Sequence, residues 1–270
     1  MAYQAFNLRS ISFPFRSRPA TLRVEEELDK VRTCAASSTT ESVCDGLRGL
    51  GEVYEEIDEL LRQPGNQQSF SHPNHRKWVE KELDLSLQLL DLSGAIRDGL
   101  SATTAHLQDI QLSIRRKDCS NAKIKAFHHV SISFRSTKKN IANSLRSLQK
   151  QTENGRKITS CSGVAAMLVE AREISVSLFG SAYSLLTEAT GKPKASRWSS
   201  FVTRQLHHKK VACGVHEVES EGESLVALLS SIQKLDFELE SLFRRLIRNR
   251  VSLLNVLSFN RSNCEKMKFN

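Results

Sequence analysis

Glycine and proline are scarce, at 12 and 5 of 270 residues, about half their usual share. Collagen, low-complexity linkers and turn-rich β architecture are excluded on that ground. Cysteine is present but unpatterned. Cys34, Cys44, Cys119, Cys161, Cys213 and Cys264 form no CxxC pair and no tight cluster, so they read as free thiols of a reducing compartment. No apolar run is long enough to cross a bilayer. The most apolar stretch, Val164 to Leu186, carries Glu170, Arg172 and Glu173, and what remains from Ile174 onward is too short. Ala2 argues against N-myristoylation, and the C-terminal CEKMKFN is not a prenylation box. A cytoplasmic protein is expected, one that meets membranes only at the surface.

Catalytic signatures are missing as well. There is no G-x-S-x-G elbow, no phosphate-binding loop, no dinucleotide glycine fingerprint and no H-E-x-x-H. Glu55, Glu56, Asp58 and Glu59 fall on the polar face of an amphipathic helix, where solvation accounts for them. His72-x-x-His75, His128-His129, His207-His208 and the Cys213/His216 pair do not assemble four ligands at zinc-finger spacing. We therefore expect no enzyme, no cofactor, no metal and no small-molecule substrate.

What is present is helical periodicity. Charged residues are 26% and apolar residues 39%, a globular balance rather than a disordered one. A first helix follows Pro19, with Val24, Leu28 and Val31 on one face. Ser38-Thr39-Thr40-Glu41 has capping-box spacing and opens a second helix, in which Val43, Leu47, Leu50, Tyr54, Ile57 and Leu61 recur at steps of 3 and 4. Pro64-Gly65 stops it. A polar loop from Gly65 to Asn74 then leads into a long helix over about Arg76 to Arg116, with Leu92, Ile96, Leu100, Thr103, Leu107, Ile110 and Ile114 aligned and a bend expected near Gly94 and Gly99. Further helices are read over about Ser120 to Gln151 and Ile158 to Thr190. The last helix has the most regular pattern. Leu225, Leu228, Ile232, Leu235, Leu239, Leu242, Leu246, Asn249, Leu253 and Val256 alternate steps of 3 and 4, a coiled-coil type of seam with one polar position.

With no period-2 alternation in competition, the fold class is all-α: an elongated multi-helix bundle with a long heptad-patterned C-terminal helix. Residues 1–18 are rich in Arg, Ser and Phe, with no acidic residue before Glu25. That is the composition of an organelle transit peptide and equally of a basic, disordered arm. Residues 19–258 form a single bundle domain, and 259–270 a tail.

Lys and Arg number 39 against 30 Asp and Glu, a net charge of +9. Arg115, Arg116 and Lys117 close the third helix, where they also complement its dipole. Arg244, Arg245, Arg248 and Arg250 lie beside the seam of the last helix, and Ser196–Val215 adds further basic residues around Trp198 and Phe201. These groups are candidates for a protein-partner surface or a phosphate-bearing surface such as anionic lipid, with nucleic acid the less favoured ligand. The competing reading is intramolecular pairing, for which Glu240 stands four residues before Arg244 in the favourable order.

Several stretches together resemble a plant-specific helical family, the BYPASS-like proteins. They are RSISFPFRSRPATLRVEEEL, GLGEVYEEIDELL, LDLSLQLLDLSGAIRDGL running into LQDIQLSIRRKD, and LESLFRRLIRNRVSLLNVLS. They occur in order over nearly the whole chain. The resemblance implies a plant protein connected with root and shoot development, and an N-terminal segment that belongs to the domain, which favours the arm over a plastid transit peptide. We expect a non-enzymatic regulator or scaffold acting through a partner, the alternative being a peripheral membrane module on anionic lipid. The resemblance implies no catalytic residues. The family pattern often has Cys where this chain has Ser93, which removes any thiol role there.

Overall fold

The structure, a computed structural model, describes residues 20–37, 39–70, 72–115, 138–152, 163–190 and 215–268. Within them the chain is helical and contains no strand. The helices are α1 (Ala20–Ala35), α2 (Thr40–Arg62), α3 (Pro64–Phe70), α4 (Pro73–Arg115), α5 (138–152), α6 (Val164–Thr190) and α7 (Val215–Lys268). At 54 residues, α7 is about 80 Å long at 1.5 Å per residue. It runs on through most of the stretch expected as a tail. The arm over 1–18, the first half of the expected fourth helix and the basic segment before Val215 lie outside the described residues.

Local chemistry sets the boundaries, and some differ from the sequence reading. The N-cap of α2 is Thr39, whose Oγ1 accepts from the Ser42 amide at 3.2 Å. The cap thus sits one residue later than the Ser38–Glu41 box, and Glu41 falls inside the first turn. The polar loop expected after Pro64 is instead the helix α3. Pro64 does two jobs: it forces Gln63 into an extended conformation, ending α2, and it starts α3 at the one turn where its missing N–H costs nothing. Asn66 Nδ2 ties α3 back to the Leu60 carbonyl at 2.7 Å, and Phe70 is buried and stacked on Trp78 with 5.5 Å between ring centroids. α4 therefore begins at Pro73 and continues as helix through Gly94 and Gly99. Gly163 has φ 78°, a left-handed conformation that a right-handed helix excludes, so α6 begins at Val164; the expected start at Ile158 lies outside the described residues.

α2 is the hub. Its apolar positions are all buried, and it packs against α1, α6 and α7. Glycines let these neighbours close in: a Cβ at Gly46 would meet Leu178 of α6 at 2.8 Å, and one at Gly49 would meet Val31 of α1 at 2.8 Å. Side-chain ties give the directions. Arg48, Glu55 and Arg62 of α2 bond Glu238, Arg245 and Ser252 of α7, a constant offset that makes the two helices parallel. Arg97 and Ser86 of α4 bond Asp236 and Arg250 of α7, which makes those two antiparallel. Every seam position of α7 from Leu225 to Val256 is buried between them.

The core also holds charge. Arg172 of α6, 2% exposed, pairs with buried Glu82 of α4, and its Nε has no partner among the described residues. Nearby, Ser175 Oγ donates to the Ala171 carbonyl at 2.7 Å, so the Tyr54 hydroxyl, 3.0 Å away, donates to Ser175. Burial raises the Tyr54 hydroxyl well above its ordinary pKa and pushes the Cys44 thiol up to about 11.

Three outcomes follow in denaturation experiments. Leu239→Ala and Leu242→Ala should each cost about 2–5 kcal/mol, because both side chains are fully buried and leave cavities. Arg172→Met should cost about 3–5 kcal/mol by stranding the Glu82 carboxylate, and adding Glu82→Leu should recover much of it. Stability should fall as pH rises from about 9 toward 11, the interval in which the unfolded chain loses the Cys44 proton and the folded chain keeps it. Cys44→Ala should flatten part of that decline in a melting series.

Candidate partner surface on the C-terminal helix

Among the described residues, the candidate arginines of the last helix do not form one patch. Arg115 is the last residue of α4, while Arg116 and Lys117 lie outside the described residues. The four candidate arginines of α7 diverge. Arg244, its side chain 70% exposed, donates from Nε to Glu240 Oε1 at 2.7 Å along its own helix. Arg245 crosses to α2, where Nε meets Glu55 Oε2 at 3.2 Å, and its Nη1 bonds Ser241 Oγ at 2.8 Å. Only 21% of that side chain is exposed, and it lies across Gly51, where a Cβ would come within 2.7 Å of the guanidinium. Arg248, 56% exposed, approaches the same Glu55 at 3.8 Å. Arg250 turns the opposite way, donating to the Leu83 carbonyl and, at 2.9 Å, to Ser86 Oγ on α4.

These contacts fasten both flanks of α7. On the α2 flank, Arg48 Nε and Nη2 both donate to buried Glu238, at 3.0 and 2.7 Å. Asp58, expected on a solvated face, is buried because α7 covers it: Ser252 Oγ and Arg62 both donate to its carboxylate. On the α4 flank, Arg97 bonds Asp236 at 3.2 Å and also Glu240, the carboxylate that holds Arg244. The anticipated Glu240–Arg244 pair is therefore one link of a chain that reaches α4.

Sequence reasoning missed the apolar residues on the outer face of α7. Phe237 is 70% exposed, and Ile247, Val251 and Leu254 are exposed as well. Phe237, Arg244 and Val251 are seven residues apart and share one ridge, opposite the buried seam. The signal was available as a second stripe, Ile247–Val251–Leu254, with steps of 4 and 3, but the stronger inner seam masked it. Arg244 and Arg248 are the cations that belong to this face.

Among the described residues no three His, Cys, Asp or Glu side chains cluster as metal ligands would, and no helix is long and apolar enough to cross a membrane. His75 Nδ1 lies 2.8 Å from the Ser69 carbonyl, and its ring packs edge-on to Phe70. A small hollow between α4, α6 and α7, walled by Leu100, Leu185, Leu186 and Ile232, has no ionisable lining.

No curated protein and no solved structure shows significant similarity to the chain. The model of the family described as Protein BPS1, a plant BYPASS-related family, matches residues 46–256. That span is well over half of the sequence, running from the early turns of α2 to the end of the α7 seam, and the chain belongs to this family.

Proposed function

We propose that this protein is a non-enzymatic scaffold or regulator in plant development that works by binding a protein partner through the outer face of α7. The observation that carries the reading is Phe237, 70% exposed on a helix whose inner face is fully sealed, in line with exposed Val251 and Arg244. Aromatic, aliphatic and Arg side chains on one face have the composition of a protein interface. Family membership supports a developmental role, and the lack of catalytic motifs supports a non-enzymatic one. Cys34 and Cys44 are free thiols, in keeping with the cytoplasm.

A peripheral membrane role through basic faces is the second reading, and Arg244 and Arg248 favour it. Against it stand Glu52, Glu55 and Glu59, exposed on the adjacent α2, which repel anionic headgroups. Proximity labelling in plant tissue with the intact chain and with a Phe237→Asp/Val251→Asp variant tests the proposal. Both substitutions fall on exposed positions, so folding should be unchanged, and a discrete set of labelled neighbours should be lost. An identical set from both chains would overturn the reading.

A further inference from the structure

We propose that the groove between α4 and α7 receives an amphipathic helix of the partner protein, with acidic residues along one of its edges and basic residues along the other. This rests on the partner-binding reading and specifies the occupant.

Register defines the groove. As α4 runs from Ser86 to Arg97, α7 runs back from Arg250 to Asp236. Leu87 is therefore level with the α7 turn of Ile247 and Val251, and Gly94 is level with the turn of Glu240 and Arg244. Leu87 and Gly94 are seven residues apart and share the outward side of α4. With Ile247, Val251 and Leu254, exposed Leu87 makes an apolar strip shared by two helices. From Phe237 to Leu254 the strip extends about 26 Å, the length of a helix of about 18 residues.

Gly94 supplies an independent observation. A glycine inside a helix weakens it, and a Cβ at this position would meet nothing within 4 Å. Among the described residues, the missing side chain relieves no contact. Outside the chain, bare backbone at the floor of a groove lets another helix approach closely, as Gly46 and Gly49 do for α6 and α1.

Charge chooses among occupants. The α7 side of the groove is edged by exposed Arg244 and Arg248. The α4 side is edged by Asp84, Asp91 and Asp98, all exposed and spaced by seven. A helix lying between a basic and an acidic rail is best matched by one acidic and one basic edge. A second copy packed antiparallel on the same strip would bring the Arg244 and Arg248 pairs of both chains together. An anionic bilayer would meet the aspartate rail.

The test uses the full chain and three synthetic stapled helices of about 20 residues with one leucine face. One has an acidic and a basic edge, one has both edges acidic, and one has both basic. In fluorescence anisotropy the mixed-edge helix should bind about tenfold more tightly than either other, since several exposed pairs add. Arg244→Glu with Arg248→Glu should move the preference to the helix with two basic edges. Gly94→Leu and Val251→Asp should each weaken binding about tenfold. Gly94→Ala should raise the melting temperature while still weakening binding, which separates docking from folding.

Equal affinities for the three helices, no binding by any of them, or unchanged binding in Gly94→Leu and Val251→Asp would overturn the proposal. Two further results would do the same by naming another occupant. One is flotation on phosphatidylcholine–phosphatidylserine vesicles that is lost in the double Arg variant, and the other is a sedimenting dimer abolished by Val251→Asp. If labelled neighbours depend on Phe237 and Val251 while no helix binds, this proposal fails and the partner-binding reading stands. If the neighbours do not depend on them, the partner-binding reading fails as well.

Discussion

The bundle depends on α2 and α7 lying parallel, side by side, although they are separated by most of the chain. Their polar ties recur every seven residues at one offset: Arg48 with Glu238, Glu55 with Arg245, and Arg62 with Ser252. Two helices in 3.5-residue contact register present the same faces to each other along their length, so a single offset settles the whole interface. Closing so long a loop is entropically costly. The offsetting term is the apolar surface that Leu47, Leu50, Ile57 and the α7 seam remove from water.

From that pairing the remaining directions follow. Two parallel helices leave apolar flanks that returning segments must cover. α4 does so antiparallel to α7, and α6 packs against α2 with its own buried ion pair to α4. The position of Arg172 shows how the core accommodates a charge: Glu82 neutralises it, and neither group remains in water. The family-matched span, 46–256, begins on one member of the parallel pair and ends on the other.

The arginines of α7 show why a basic composition does not by itself make a basic patch. Arg245 and Arg250 serve as cross-braces to α2 and α4, their charges directed at a carboxylate and a backbone carbonyl. Arg244 and Arg248 keep their guanidinium groups toward solvent, beside exposed apolar side chains. The outer face of α7 is thus mixed in character, and its chemistry suits a helix more than a polyanion.

The sequence by itself determined the helices, because the 3-and-4 spacing that marks a buried face is a relation between residues one turn apart. The seam of α7, the faces of α1 and α2, and the Glu240–Arg244 pair were all legible for that reason. So was the all-α class. α3 was not, since seven mostly polar residues hold too little period, and it is held by Phe70 against Trp78 and by the Asn66 bond to the Leu60 carbonyl. The tertiary structure alone decided which charges are buried and which are free. Asp58 looks like a surface carboxylate until Ser252 is placed on it, and Arg245 looks like Arg248 until α2 is brought alongside. Those outcomes depend on residues about two hundred positions away, and periodicity, being local, carries no information about which helix will cover a given face.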